Sequence, residues 1–129
     1  MDALDMHLFD TNALIYYLAG EAPHVKEIFR ALKERAERLS VSVISKIELL
    51  SIDDEAELAK VETLLGAVDV LGLDDRVVEE SARVRRAYKL KLPDAIIAAT
   101  ALTHGYTLVT RNLQDFGRVG GLDVVDPKT

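Results

Sequence analysis

Hydrophobic and polar positions along the chain follow two rhythms. Short apolar runs of strand length alternate with longer stretches in which apolar residues return every three or four positions, the pattern of a parallel sheet with helices on its faces. Met6 to Asp10 reads as the first strand, and Thr11 to Leu18 as a short helix that Gly20 and Pro23 interrupt. In a second helix Val25, Ile28, Phe29, Leu32, Ala36 and Leu39 form one apolar stripe, while Lys, Arg and Glu fill the other face. Val41 to Ile44 is β-branched at three of four positions and predicts a second strand, with Ser45 suited to cap the helix that carries Glu48.

The acidic turn Asp53 to Glu57 leads to a helical pattern at Leu58, Val61, Leu64 and Leu65, followed by a short strand at Val68 to Leu71. Asp74 starts a helix with Val77, Ser81, Val84 and Tyr88 on one stripe. Pro93 and Asp94 open the segment Ala95 to His104, apolar nearly all round and therefore a central buried helix, ending before Gly105. Thr107 to Thr110 and Leu122 to Val125 complete the strands. No repeat, low-complexity tract or linker divides the pattern, so we expect one α/β domain over residues 1–129, with its core from about 6 to 126.

Composition narrows the chemistry. At 129 residues and 49% hydrophobic, the chain can bury one sizeable core but not two. The absence of cysteine excludes disulfides, zinc-thiolate sites and thiol nucleophiles, and a reduced cytoplasm is the expected location. The first twenty residues carry Asp2, Asp5 and Asp10 and no basic leader, and the apolar stretches are too short or interrupted to span a bilayer. A net charge of -6 argues against gripping nucleic acid through an overall positive field, so any such contact must be local. Aromatic residues at 5%, without tryptophan, leave little for a base-stacking platform and disfavour a passive RNA-binding module.

Of four candidate acids, Asp10, Asp94 and Asp115 fall where a parallel sheet binds ligands, just beyond a strand or at a helix start, and Glu48 sits within a helix. Each has a structural alternative. Asp10 ends the first strand and is also a favoured helix N-cap, which taken alone is the better reading. Ser45-Lys46-Ile47-Glu48 matches a capping box, yet Glu48 is the lone carboxylate between Val41 and Ile52, suggesting a position partly sheltered from water. Asp94 sits at the start of the apolar helix, where the macrodipole favours negative charge. Asp115, just beyond the strand Thr107 to Thr110, and Asn112 are also explained by turn chemistry. As a set, converging carboxylates repel one another unless a cation offsets them, and hard oxygen donors suit Mg2+ or Mn2+. Paired-histidine catalysis finds poor support: His7 is within a strand, His24 starts a helix, and His104 ends one.

Four pieces together resemble the PIN-domain family, most closely VapC-type toxins in size and motif order: Leu8-Phe9-Asp10-Thr11-Asn12, Ser45-Lys46-Ile47-Glu48-Leu49, Leu92-Pro93-Asp94-Ala95 running on to Ala101, and Leu108-Val109-Thr110-Arg111-Asn112 with Asp115-Phe116. The resemblance runs from Leu8 to about Val125. It implies a PIN-like α/β fold with a central parallel sheet of about four to five strands flanked by helices on both faces. It also implies metal-dependent hydrolysis of RNA leaving a 5′-phosphate, homodimerisation, and inhibition by a cognate VapB-like antitoxin. Asp10, Glu48 and Asp94 match the family's acids. The fourth stands at either of two places, occupied here by Asn112 and Asp115. Asp115 is taken as the fourth acid, Asn112 as a supporting ligand, and Thr110 and Asn12 as donors behind them.

For holding RNA the chain offers Arg83, Arg85, Arg86, Lys89 and Lys91, with no acid between Ser81 and Leu92, together with Arg111. A solvated helix face with a Glu79 to Arg83 pair is the plainer account of any one of them. Two other functions remain open. Aspartyl-phosphate chemistry lacks the D-x-D of phosphatases around Asp10, and no nucleotide-binding glycine motif is present. A catalytically silent PIN-like binding partner is kept open by Asn112.

Overall fold

Leu8 and Phe9 point to opposite faces of the first strand, β1 (His7–Phe9), and the core divides between those faces. The computed structural model describes residues 6–19, 27, 30, 34 and 39–127. β1 lies at the middle of a five-stranded, all-parallel sheet with β2 (Leu39–Ser42), β3 (Val68–Leu71), β4 (Thr107–Val109) and β5 (Val124–Val125), in the order β3-β2-β1-β4-β5. Phe9, Leu39, Val41, Val68 and Val109 face one cluster, completed by α1 (Thr11–Leu18), α2 (Val43–Leu50) and α3 (Glu55–Leu65). Leu8 and Leu108 face the other, covered by α4 (Asp75–Tyr88), α5 (Leu92–His104) and Phe116 of α6 (Leu113–Phe116). Helices on both faces satisfy a sheet whose strands are apolar on both sides.

The chain runs outward from β1 through β2 to β3, then returns past β1 to build β4 and β5 on its other side. That reversal opens a crevice between the carboxyl ends of β1 and β4, the place where open parallel sheets take ligands. Asp10 and Thr110 are the residues immediately beyond those two ends, joined by a bond from Asp10 N to the Val109 carbonyl at 3.1 Å.

Local chemistry sets the helix boundaries. Asp54 and Asp74 accept from Glu57 N and Val77 N and so cap α3 and α4. Proline in the first turn opens α5, and Gly105 closes it at φ 69°, a left-handed geometry that glycine adopts without a Cβ clash. Residues Ala95 to Ala101 of α5 are all buried, as its unbroken apolar run predicts. Small Ala95, Ala98, Ala99 and Ala101 let the helix lie close on the sheet and on α4, and truncating Ile97 to alanine there costs about 2–5 kcal/mol.

The first and last strands are shorter than expected, His7–Phe9 and Val124–Val125, and one boundary between elements is displaced. The second strand covers Leu39 to Ser42 rather than 41–44, and Val43 and Ile44 are helical. Ser42, not Ser45, is the N-cap, with its Oγ accepting from Ile44 N at 3.1 Å. A side-chain acceptor in the right place outweighed the strand preference of two β-branched residues, which is a weak and contextual term. Leu39 consequently belongs to the sheet, paired beside Val68, and not to the preceding amphipathic helix. Most of that expected helix lies outside the described residues; Glu27, Arg30 and Glu34 are helical and exposed, as its polar face requires. Among the described residues no helix is long and apolar enough to cross a membrane.

Candidate active site

Asp10 emerges from β1 into the crevice and is only 4% exposed. Its Oδ1 accepts from Ala13 N at 2.8 Å, so it does cap α1, while its Oδ2 accepts from the Thr110 hydroxyl at 2.5 Å. The capping and functional readings are therefore compatible: one oxygen turns the helix and the other faces β4. Thr110 in turn accepts from Asn112 N at 3.0 Å. Asn112 caps α6, its Oδ1 accepting from Asp115 N at 3.2 Å and its Nδ2 donating to Asp115 Oδ2 at 3.1 Å. Asp10, Thr110, Asn112 and Asp115 thus form one continuous hydrogen-bonded chain. Asn112, expected as a supporting ligand, commits its amide to orienting Asp115, whose other oxygen lies 3.7 Å from Arg118 Nη2.

Glu48 reaches the crevice from α2. With Ser42 as the cap, Glu48 lies beyond the first turn and outside a capping box. Nor is it sheltered, as its apolar neighbours suggested: it is exposed, and Ser45 and Leu49 are the buried residues of that helix. Its Oε1 accepts a short hydrogen bond from the Thr11 hydroxyl, and Thr11 Oγ1 lies 3.0 Å from Ser45 Oγ. A hydroxyl carries one proton, so with Thr11 donating to the carboxylate, buried Ser45 donates to Thr11. Sequence reasoning assigned neither residue to this role; Ser45 was hidden by its resemblance to a cap, and Thr11 by standing next to Asp10.

Asp94, in the first turn of α5, is half-buried. Burial raises its pKa above the usual carboxylate value, the Asp115 and Glu48 charges add to that, and Lys91 opposes it. Asp10 is raised too, by burial first and then by Asp94 and Glu48, against the lowering effect of its Thr110 and Ala13 bonds. Asp10 and Asp94 are thus linked by repulsion to each other or to Glu48 and Asp115, which brings the four predicted acids to one crevice.

Such a crevice fits a divalent cation. The donors are hard carboxylate oxygens, and a cation would offset the burial and, after it, the like charge that raise Asp10 and Asp94. Among the described residues no three His, Cys, Asp or Glu side chains form a ready-made cage. His104 stays apart, its Nδ1 donating to the Thr100 carbonyl at 2.8 Å near the end of α5.

The predicted cations divide into three environments. Arg83 is bidentate to Glu80, at 2.7 and 2.8 Å, rather than paired with Glu79. Arg85, Arg86 and Lys89 border a groove of about 770 Å³ between α4 and α5, otherwise lined chiefly by apolar side chains. Arg111 stands over the Tyr16 ring, its Cζ 4.2 Å from the centroid. Asn12 is exposed on the first turn of α1, and the donors that hold the acids are Thr110, Thr11 and the Asn112 amide.

Comparison with known proteins finds relatives of both the sequence and the fold. A protein named tRNA(fMet)-specific endonuclease VapC, from Salmonella typhimurium, is 29% identical over 129 aligned residues, covering 92% of this chain and 96% of that protein. A chain of a toxin-antitoxin complex from Klebsiella pneumoniae is 34% identical with TM-score 0.74, covering 94% of this chain and 97% of that one. A chain of DNA-bound VapBC from Salmonella typhimurium is 27% identical with TM-score 0.82 and the same coverage. The PIN domain pattern matches residues 8–122, a span that contains all four acids, and this chain belongs to the PIN domain family.

Proposed function

We propose that this protein is a divalent-metal-dependent endoribonuclease, the toxin of a toxin-antitoxin pair, acting in the cytoplasm on structured RNA of the transfer-RNA class. The observation that carries the reading is the convergence of Asp10, Glu48, Asp94 and Asp115 on the crevice where the sheet reverses its strand order. The relative named as a tRNA(fMet)-specific endonuclease supports the substrate class, and the VapBC and toxin-antitoxin complexes support a VapB-like antitoxin as partner.

Mg2+ or Mn2+ bound among the acids supplies charge for the phosphoryl oxygens and lowers the pKa of water. Asp10, Asp94 and Asp115 offer the anionic oxygens, with Thr110 and Asn112 fixing two of them. Glu48, exposed and steadied by Thr11, orients the attacking water. Attack in line breaks the bond between phosphorus and the 3′ oxygen, leaving a 5′-phosphate and a 3′-hydroxyl. Asn112 does not argue for a silent protein, because it positions Asp115 and leaves four acids in place. The test is cleavage of labelled RNA in magnesium, manganese or EDTA by the partner-free protein, with Asp94→Asn beside it. Metal-dependent cleavage that the variant lacks is expected, and equal cleavage by both would refute the assignment.

A homodimer belongs to the same proposal. The groove between α4 and α5 exposes Leu73 at 47%, Val78 at 48% and Leu92 at 54%. α4 carries Asp75 at its first turn and Arg85 and Arg86 at its last, so two copies packed antiparallel match charge at both ends, as a two-fold interface requires. We assign Arg85 and Arg86 to that pairing in preference to phosphate contacts. Light scattering should find a dimer for the wild type and a folded monomer for Val78→Glu; a wild-type monomer would remove the assignment.

A further inference from the structure

A second concavity, of about 510 Å³, is lined by Asn12, Ile15, Tyr16, Ala19, Arg111 and Asn112. It adjoins the acids covalently and by hydrogen bonds. Asn12 follows Asp10 by two residues, and Asn112 is the residue that orients Asp115. Arg111 covers the Tyr16 ring at 4.2 Å although 95 residues separate them in sequence. Three of the six lining side chains are an amide or a guanidinium, which distinguishes this pocket from the apolar groove of α4 and α5.

We propose that this pocket receives the nucleobase beside the scissile phosphate and sets the sequence preference of cleavage, an inference that rests on the nuclease reading above. A guanidinium seated on an aromatic ring is a flat, weakly hydrated plate on which a base stacks at little desolvation cost. Asn12, exposed at the rim, presents both a donor and an acceptor to a base edge. Arg111 adds a positive charge at the edge of the acidic crevice, where an overall charge of -6 would otherwise repel the RNA backbone. The scarcity of aromatic residues, which excludes an extended stacking platform, does not exclude a site for one base built on one ring.

The experiment uses a short hairpin RNA carrying 2-aminopurine at each loop position in turn. Its fluorescence is read on binding to Asp94→Asn protein, and cleavage of the same RNAs is read with wild type, Tyr16→Leu and Arg111→Lys. Stacking quenches 2-aminopurine at one loop position, and adding Arg111→Lys or Tyr16→Leu to the Asp94→Asn protein abolishes that quench. Deleting the base at that position lowers wild-type kcat/KM about tenfold or more, the scale of one base stacked on an aromatic side chain. The same deletion changes kcat/KM of Arg111→Lys less than about twofold. Arg111 is exposed, so its variant stays informative even where Tyr16→Leu disturbs folding. Metal-dependent cleavage with no single base mattering, or with the same base penalty in wild type and Arg111→Lys, overturns the pocket as a base site and leaves the nuclease standing. Position-specific quenching without wild-type cleavage does the reverse, keeping the base site and refuting the nuclease.

Discussion

Asp10 and Asp94 serve one crevice but are held in contrasting ways. Asp10 is buried at the end of a central strand, with Ala13 N and the Thr110 hydroxyl each bonded to one of its oxygens. Asp94 stands on the first turn of α5, where burial and like charge act on it and only Lys91 relieves it. The first acid is fixed by the protein before any ligand arrives. The second is left with charge that a ligand must satisfy. Burial makes the charged form of both costly, but at Asp10 two hydrogen bonds already offset part of that cost, whereas at Asp94 the offset beyond Lys91 must come from a cation.

Substitution breaks the comparison most sharply at Asp94. Asp94→Asn should lower cleavage by more than about a hundredfold, above the usual range for residues that only orient a ligand. In EDTA the same variant should melt at the wild-type temperature or higher, since repulsion from Asp115 and Glu48 falls and amide and carboxylate share a shape. A lower melting temperature without metal would mean that Asp94 chiefly stabilises the start of α5. Thr110→Val is the opposite case. It removes the hydroxyl that donates to Asp10 and accepts from Asn112 N, inside a fully buried site, and should cost about 1–3 kcal/mol in urea unfolding. A neutral result would show that water replaces the hydroxyl.

Much of this was legible in sequence. The strand at Val68 to Leu71 and the first helix have the expected bounds, and the apolar run of α5 is buried as its composition requires. Periodicity reports such elements because burial on one face or all round is written locally. The β2–α2 boundary was misread because Val43 and Ile44 favour strands, whereas Ser42 was already committed to capping. Glu48 was misjudged for a related reason: apolar neighbours on a helix do not shelter a residue on its outer face. Strand order is not written in any one segment, so Thr110 could be named as a donor behind the acids through the family resemblance alone, and the seat of Arg111 on Tyr16 could not be read from the chain at all. Chemistry at the site was legible residue by residue, and the contacts that hold it were not.

Glu48 sharpens the comparison from the exposed side. Thr11→Val leaves the carboxylate in place but frees it to swing, so cleavage should fall about 10- to 100-fold. Thr11→Ser, which keeps the hydroxyl, should restore most of it. Equal activity of the valine and serine variants would remove Thr11 from the positioning of Glu48.

Acidity offers a gentler test of the same contrast. Asp10 and Asp94 both have raised pKa values in the folded protein, so above the ordinary carboxylate value of 3.8 the folded state holds these protons more tightly than the unfolded chain does. Their contribution to stability therefore declines as pH rises through that window and is recovered as pH falls back through it. The metal-free wild type should show this component in its urea midpoint, and Asp94→Asn should show less of it. Saturating magnesium should suppress it, because the cation favours the charged carboxylates. An identical pH dependence in wild type and Asp94→Asn would mean that Asp94 is not strained in the absence of metal.

The smallest expected effect extends the contrast from acids to cations. Arg83 is satisfied within the chain by two bonds to Glu80, whose pKa is lowered mainly by that contact, whereas Arg111 rests on a ring beside the acids. Arg83→Ala should therefore leave the salt dependence of RNA binding by Asp94→Asn protein unchanged. Arg111→Ala should reduce the slope of log affinity against log salt by up to about one, as removing one positive charge beside the RNA backbone requires. Should Arg83 reduce the slope instead, RNA would have to displace Glu80 and run along α4, and the partnered cation would prove to be the one the ligand uses.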